Sequence, residues 1–350
     1  MRRSTLSTPI SEQLIDAQKT PPKTKKKQLP FNRIISTGST LLDLAISGKR
    51  IRGGGLPSGI LVEIFGPSGA GKTVLLCEMA GNMQRANGSI MFNDPEARLD
   101  AQFAKLFDFD VDEITLIQPD TIKEVFAPIR KWEPESTPAA VFADSLAALS
   151  TNLEMDKEEG DKMGMRRAKE FSEECRKTCR ILSQKDILMV CSNQVRVNQD
   201  AGPYGEKYKS PGGEAIGFYA SLRLKIARRE KIKETKTIRG KEQQRVVGVV
   251  SSIQVYKSSI DAPFRDAMVH ILFDYGIDDI RANLTYLKQN TKSTKYAIPG
   301  CDVLLGASIK SAALAVEKNN LEEALREAVI DLWEEIEETF ITERKQKKRL

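Results

Sequence analysis

Histidine is almost missing from this chain: His270 stands alone among 350 residues. That scarcity excludes histidine-based catalytic triads and histidine metal clusters, so hydrolytic chemistry falls to carboxylates, Lys, Gln and a bound metal ion. His270 lies in the strand-like "MVHILF" and reads as a packed strand residue. Cysteine is sparse as well. Cys77, Cys175, Cys179, Cys191 and Cys301 are odd in number and scattered, which fits reduced thiols and not a disulfide framework. Cys175 and Cys179 would share a helix face, but no further ligands stand at zinc spacing. No apolar run approaches the roughly 20 residues of a membrane span. The opening "MRRSTLSTPISEQLIDAQ" has no apolar core for a signal peptide, so the expectation is a cytoplasmic protein without a membrane partner. There is no internal repeat.

The remaining composition, 40% hydrophobic and 29% charged, is that of an ordinary globular protein long enough for a large domain and a smaller one. Charge is unevenly placed. The net +6 divides into +5 over residues 1–30, +4 over residues 343–350 and −3 in between. Basic tails attract a polyanion through counterion release; they serve equally well as solvated ends that keep a protein soluble.

"TPPKTKKKQLP" reads as a linker, because Pro and like charges oppose compaction. Residues 1–30 are therefore an N-terminal arm and basic linker. From residue 31 to 277, short apolar strands ("ILVEIFG", "SIMFND", "EITLIQ", "AAVFADS", "DILMVCSN") alternate with helical patterns, which predicts an α/β core with a mostly parallel twisted sheet flanked by helices. Three further strands, "ASLRLKIARR", "VVGVVSSIQVY" and "AMVHILFD", follow one another directly and predict an antiparallel extension, with "KETKTIRGKEQQ" as an exposed hairpin tip. Residues 278–342 read as a small C-terminal α/β domain ending in an amphipathic helix. Its apolar stripe runs Leu321, Leu325, Val329, Trp333, Ile336 and Phe340. Residues 343–350 form a basic tail.

"GPSGAGKT" fits G-x-x-x-x-G-K-[ST] between a predicted strand and a predicted helix. Glycines let backbone N–H groups close around phosphate oxygens, and the helix N-terminus adds its positive dipole end. The motif assigns Gly66, Pro67, Ser68, Gly69, Ala70, Gly71, Lys72 and Thr73 to a nucleotide, and Val74, which follows it, is expected to join them. Lys72 would reach the β- and γ-phosphates and Thr73 would hold Mg²⁺. Asp144 ends a buried strand, where a carboxylate can complete the Mg²⁺ shell. Asp94 and Glu96 end another, and Glu96 could act as general base toward a water; acidic strand ends are also common without catalysis. Then comes "VRVNQDAGPYGEKYKSPGG", a Gly/Pro-rich polar run of a length that is either functional or disordered.

Taken together, "ISTGSTLLDLAI", "GGGLPSGILVEIFGPSGAGKT", "FNDPEARLDAQFAKLF", "QPDT", "ADSLAALS", "GDKMGMRRA", "SNQVR", "PGGEAIGFYASLRL" and "DAPFRDAMVHILFDYGI" resemble, in this order, the bacterial RecA recombinase family. The resemblance covers roughly Arg33 to Ile277; the arm and the C-terminal region match poorly. It implies a RecA-type P-loop ATPase core that uses ATP and Mg²⁺, forms filaments on single-stranded DNA, and carries out pairing and strand exchange with duplex DNA. It also implies a divergent, phage-type member working in the cytoplasm, at the nucleoid or in an infected host.

Carried over residue by residue, the resemblance makes Glu96 the base, Asp144 a Mg²⁺ ligand, and Asp100 and Phe103 the adenine contacts. Gln194 becomes the γ-phosphate sensor at the head of a mobile DNA-binding loop. DNA contacts fall on a first loop, Glu154 to Ala168, with Met163, Gly164, Arg166 and Arg167. A second loop contributes Arg196, Lys207, Lys209, Gly212 and Gly213, in a mix of charge, Tyr and Gly that suits single strands. "YKSSIDAPFR" resembles the segment that reaches a neighbour's ATP; Lys257 matches its first lysine, Ser259 replaces the second, and Arg265 is a candidate substitute. Phe218 matches an apolar residue of the open, head-to-tail subunit contact. The basic "ERKQKKRL" in place of an acidic tail implies weaker autoinhibition and tighter duplex binding. Two alternatives stay open: a non-hydrolysing RecA-like mediator, which the missing second lysine keeps alive, and a RecA-fold hexameric helicase, for which "MGMRR", "SNQVR" and "APF" give no support.

Overall fold

A computed structural model describes residues 33–151, 163–197, 208–209 and 215–344. The chain enters through β1 (Ile34–Ile35), α1 (Thr40–Ser47) and β2 (Leu56–Pro57). Five strands then alternate with helices: β3 (Leu61–Gly66), α2 (Lys72–Arg85), β4 (Ser89–Asn93), α3 (Ala101–Lys105), β5 (Thr115–Ile117), α4 (Ile122–Lys131), β6 (Ala139–Ala143), α5 (Met163–Lys185) and β7 (Ile187–Gln194). After β8 (Arg196–Val197), β9 (Tyr208–Lys209) and α6 (Ala215–Tyr219) come four strands in succession: β10 (Leu222–Ile238), β11 (Lys241–Ser258), β12 (Asp266–Leu272) and β13 (Gly276–Ile277). Three helices close the described chain, α7 (Asp279–Asn290), α8 (Ile309–Lys318) and α9 (Glu322–Thr339).

Nine strands make one sheet in the order β13-β12-β11-β10-β3-β7-β6-β4-β5. Neighbours from β10 to β5 run parallel and those from β10 to β13 antiparallel. The expected parallel core with an antiparallel extension is what forms. Period-two alternation explains how the sheet is covered on both faces. On β6, Ala140 and Phe142 join the cluster beneath α2, with Leu75, Leu76, Met79 and Met83. Ala139, Val141 and Ala143 point the other way, to Val125, Phe126 and Ile129 of α4 and Phe171 and Cys175 of α5. α4 starts from a reciprocal capping box between Thr121 and Glu124, which satisfies donors that a helix start leaves open. All five cysteines are free, and burial pushes the Cys175 and Cys179 thiols up, so neither is a reactive thiolate. His270 is packed on β12, and burial pushes its pKa down.

The C-terminal region corrects an expectation. Residues 279–344 contain three helices and no strand, so this part is helical rather than α/β. It shares one continuous apolar core with the sheet: Leu325, Val329, Ile330 and Trp333 pack with Leu41, Leu44 and Ile46 of α1. The amphipathic stripe of α9 holds except at its end, where Phe340 is 80% exposed because it caps the helix beyond that core. Arg52 ties the same helix down with Glu327, Asp331 and Glu334, at 2.6–2.7 Å. The expected hairpin tip shrinks to two residues: strand pairing continues through most of it to a turn at Arg239-Gly240, both with positive φ.

Candidate active site

Parallel strands put their C-terminal ends on one edge, and register decides which residues meet there. Gly66 of β3 lies opposite Gln194 of β7; Ala143 of β6 lies opposite both Cys191 of β7 and Asn93 of β4. The loops leaving these ends, at 67–71, 94–98 and 144–145, therefore converge. One cleft is lined by Ser68, Gly69, Gly71, Lys72, Thr73, Val74, Glu96, Arg98, Asp144, Ser145 and Gln194.

The loop that closes over β3 needs glycine for two separate reasons. Gly71 caps α2 with φ +99°, and a Cβ there would fall 2.3 Å from Ile271 Cδ1. A Cβ on Gly66 would meet the Ile226 carbonyl oxygen at 2.1 Å, so β10 passes too close for any side chain. Ala70 is buried and accepts a hydrogen bond from Ser251 Oγ (2.8 Å). This pins the loop from the antiparallel side of the sheet.

Lys72 is 8% exposed and donates to the Gly66 and Pro67 carbonyls at 3.0 and 2.9 Å. Burial pulls its pKa below the ordinary lysine value, and the negative charges of Asp144 and Glu96 oppose that pull. No carboxylate lies within ion-pair distance of it among the described residues. The charge is therefore desolvated, oriented by neutral carbonyls and without a direct ion pair, which suits an anion. Asp144 accepts from Ser192 Oγ, and its own N–H is held by the Asn93 carbonyl (3.0 Å). The Asp144–Ser145 peptide is cis. Glu96 is oriented from two sides: Ser145 Oγ donates to its Oε1 (3.1 Å) and Arg98 pairs with its Oε2 (2.5 Å). Asp94 turns inward to accept from the Leu99 amide (2.8 Å), so it shapes the loop that carries Glu96. Thr73 and Asp144 both line the cleft and offer hard oxygen donors, a set that suits Mg²⁺ shared with phosphate oxygens.

Several expected site residues are placed elsewhere. Asp100 caps α3, accepting from the Phe103 amide (2.8 Å), and Phe103 stacks edge-on against Phe107 at 5.1 Å. Neither lines the cleft. Lys257 donates to the Gly217 and Phe218 carbonyls (3.0 and 2.9 Å), capping the end of α6, which follows the second expected DNA loop. Arg265 is not a free substitute for the missing lysine. It pairs with Asp261 (3.2 Å) and Glu337 (2.9 Å) and lies 5.3 Å from the Trp333 ring.

Of the first expected loop, Met163, Gly164, Arg166 and Arg167 fall in the opening turns of α5, and Arg167 Nη2 donates to the Ala147 carbonyl (2.6 Å). Arg166 is exposed. In the second loop, Arg196 pairs with Lys209 in the short β8–β9 ladder; Lys207, Gly212 and Gly213 lie outside the described residues, as do the arm and nearly all of the basic tail. Phe218 is 75% exposed. Sequence reading missed Arg98, Ser145 and Ser192. Arg98 follows Glu96 by two residues, a local signal; the serines act across the sheet edge and gave none. Arg228 was also missed, and its Nη1 would lie 3.9 Å from a Cβ on Gly69.

Comparison with known proteins agrees with this geometry. The family model for the RecA N-terminal domain matches residues 23–278. Two similar proteins, each named Protein RecA, come from Wolbachia sp. subsp. Brugia malayi (strain TRS) and Wolbachia pipientis subsp. Culex pipiens (strain wPip). Each is 32% identical, over 273 and 274 residues respectively, covering 76% of this chain and 73% of the relative.

Proposed function

This chain belongs to the RecA family, and from that premise we propose that it hydrolyses ATP while assembled as a filament on single-stranded DNA and uses that cycle for homologous pairing and strand exchange. The observation that carries the reading is the convergence of Lys72, Thr73, Glu96, Asp144 and Gln194 on a single cleft at the carboxyl edge of the sheet.

Lys72 and the loop amides would cradle the phosphates, and Thr73 with Asp144 would hold Mg²⁺. That ion supplies Lewis-acid neutralisation of charge on the transferred phosphoryl group. Glu96 would take the proton of the attacking water from its position between Ser145 and Arg98. The Arg98 side chain is 73% exposed and free to leave Glu96 as the polyphosphate enters. Gln194 ends β7 and lies opposite Gly66, and the second expected DNA loop starts two residues later, so one side chain adjoins both sites. Arg167 links the start of α5 to the segment after Asp144 in a similar way.

A second reading, a non-hydrolysing mediator, draws on Ser259 and on Arg265 being held by Asp261 and Glu337. Both remove cations that a neighbour could offer across an interface. One experiment separates the two: ATP turnover with and without single-stranded DNA, for wild type and Glu96→Ala, with the assemblies imaged. DNA-stimulated turnover that falls about 10²-fold or more in Glu96→Ala, on open filaments, is the expected result. Filaments that bind ATP without turning it over would establish the mediator instead, and closed rings a hexameric motor.

A further inference from the structure

The β10–β11 hairpin outgrows the sheet that carries it. β3 pairs with β10 only over Leu222–Lys225, and β12 pairs with β11 only from Gly248 to Gln254. Beyond Ile232 and Gly248 the two strands continue to the Arg239-Gly240 turn with both outer edges open and nearly every side chain exposed. Six residues in each strand at ~3.3 Å rise extend this ribbon by about 20 Å.

Between Arg228 and Val246 the hairpin carries eight Lys/Arg against three Glu, in a chain whose net charge is only +6. Cross-strand register sorts these charges. Lys236, Lys241 and Arg245 share a face with Glu234, because Ile238 pairs with Lys241 and Glu234 with Arg245. Glu234 is already engaged by Lys236 (3.6 Å) and by Lys310 of α8, which brings a further cation to that face. Arg239, Lys241 and Arg245 have no ion-pair partner among the described residues. By contrast Arg52, on the same molecule, gathers three carboxylates. Lys241 and Arg245 lie four residues apart, about 13 Å along the strand.

We propose that this ribbon is a contact surface for the phosphate backbone of duplex DNA, separate from the two expected single-strand loops. Three features select duplex DNA. The surface is a protruding two-stranded ribbon of the kind a major groove admits. Its cations Arg239, Lys241 and Arg245 have no ion-pair partner among the described residues, as counterion release requires. Its exposed apolar and aromatic content is too low to stack unpaired bases: from Lys233 to Val246 the apolar residues are Ile238 and Val246, and aromatics are absent. Lysines on open strands also block edge-to-edge pairing, and the test separates that role from DNA contact.

In the full chain, the triple substitution Arg239→Ala, Lys241→Ala, Arg245→Ala is compared with wild type for binding a 30-base-pair duplex across a NaCl series, without nucleotide. The log–log salt slope is expected to fall by about 2–3, at ~0.9 for each phosphate that the variant leaves unneutralised. Turnover stimulated by single-stranded DNA stays within about twofold of wild type. The double variant Arg239→Lys, Arg245→Lys, which preserves charge, should keep the wild-type slope. An unchanged slope overturns the proposal, as does an equal fall for duplex and single strand. A triple variant that aggregates while its soluble fraction keeps the wild-type slope also overturns it and assigns these three cations to edge protection. The slope is read without nucleotide, so loss of ATP turnover in wild type would defeat the proposed function and leave this inference standing.

Discussion

Lys72 and Arg265 are both largely buried cations, and the protein surrounds them in opposite ways. Lys72 has two carbonyls for company and no carboxylate within ion-pair distance among the described residues. Arg265 has two carboxylates and an indole face, supplied by the preceding loop and by α9. The first arrangement leaves charge over for a ligand, at a cost to the folded state. The second spends its charge inside the molecule and fastens the C-terminal helices to the sheet. Sequence treats the two alike, as basic residues in matching motifs; what distinguishes an anion site from a structural clamp is whether counter-charge has already been provided.

Substitution by Met tests that contrast at both ends. Lys72→Met should lower ATP turnover by about 10³-fold or more, as loss of a phosphate-binding cation does. Its melting temperature should rise, because a desolvated charge with no direct ion pair is gone. Arg265→Met should do the reverse. Leaving Asp261 and Glu337 without their partner costs on the order of 3 kcal/mol of stability, read by denaturant unfolding, while nucleotide affinity holds. If Lys72→Met proves as destabilising as Arg265→Met, the distinction between them is void.

A smaller effect comes from Glu78 on α2, beside the same core. Burial raises its pKa from the ordinary carboxylate value to about 7, against the Ile277 amide (2.7 Å from Oε1), which favours the charged form. The folded state thus keeps a proton that the unfolded chain gives up above about 4.5. This residue favours folding most at low pH and costs stability progressively as pH rises to about 7, after which its effect is flat. Glu78→Gln should remove that slope and stabilise the protein at pH 8 by up to about 3 kcal/mol. A stability–pH curve that keeps its wild-type slope in the variant would refute the assignment.

Much of the candidate site was legible beforehand because its signals are local. The candidate phosphate loop is eight consecutive residues whose glycines answer to backbone geometry. Asp144 and Glu96 were legible as acids at the ends of apolar strands, and the parallel sheet brings such ends together. The expected adenine contacts were harder to read: the Asp100 carboxylate caps its own helix and Phe103 packs on Phe107, so both residues meet a structural need. An amphipathic pattern near the end of the chain announced α9 correctly, but it does not say that short mixed segments before it stay helical.

By itself, the sequence determined the order of strands and helices in the core, the Gly-rich turn after β3 and which acids end its strands, since each follows from neighbouring residues and backbone preferences. Tertiary structure decided which partners those residues keep. Ser192 reaches Asp144 only because β6 and β7 are adjacent, and Ser145 reaches Glu96 only because β4 lies beside β6. Arg265 is removed from the candidate cations by a glutamate 72 residues away. Charge compensation is a property of space and not of sequence separation, so the free cations of the phosphate loop and the β10–β11 ribbon emerge only once the chain is folded.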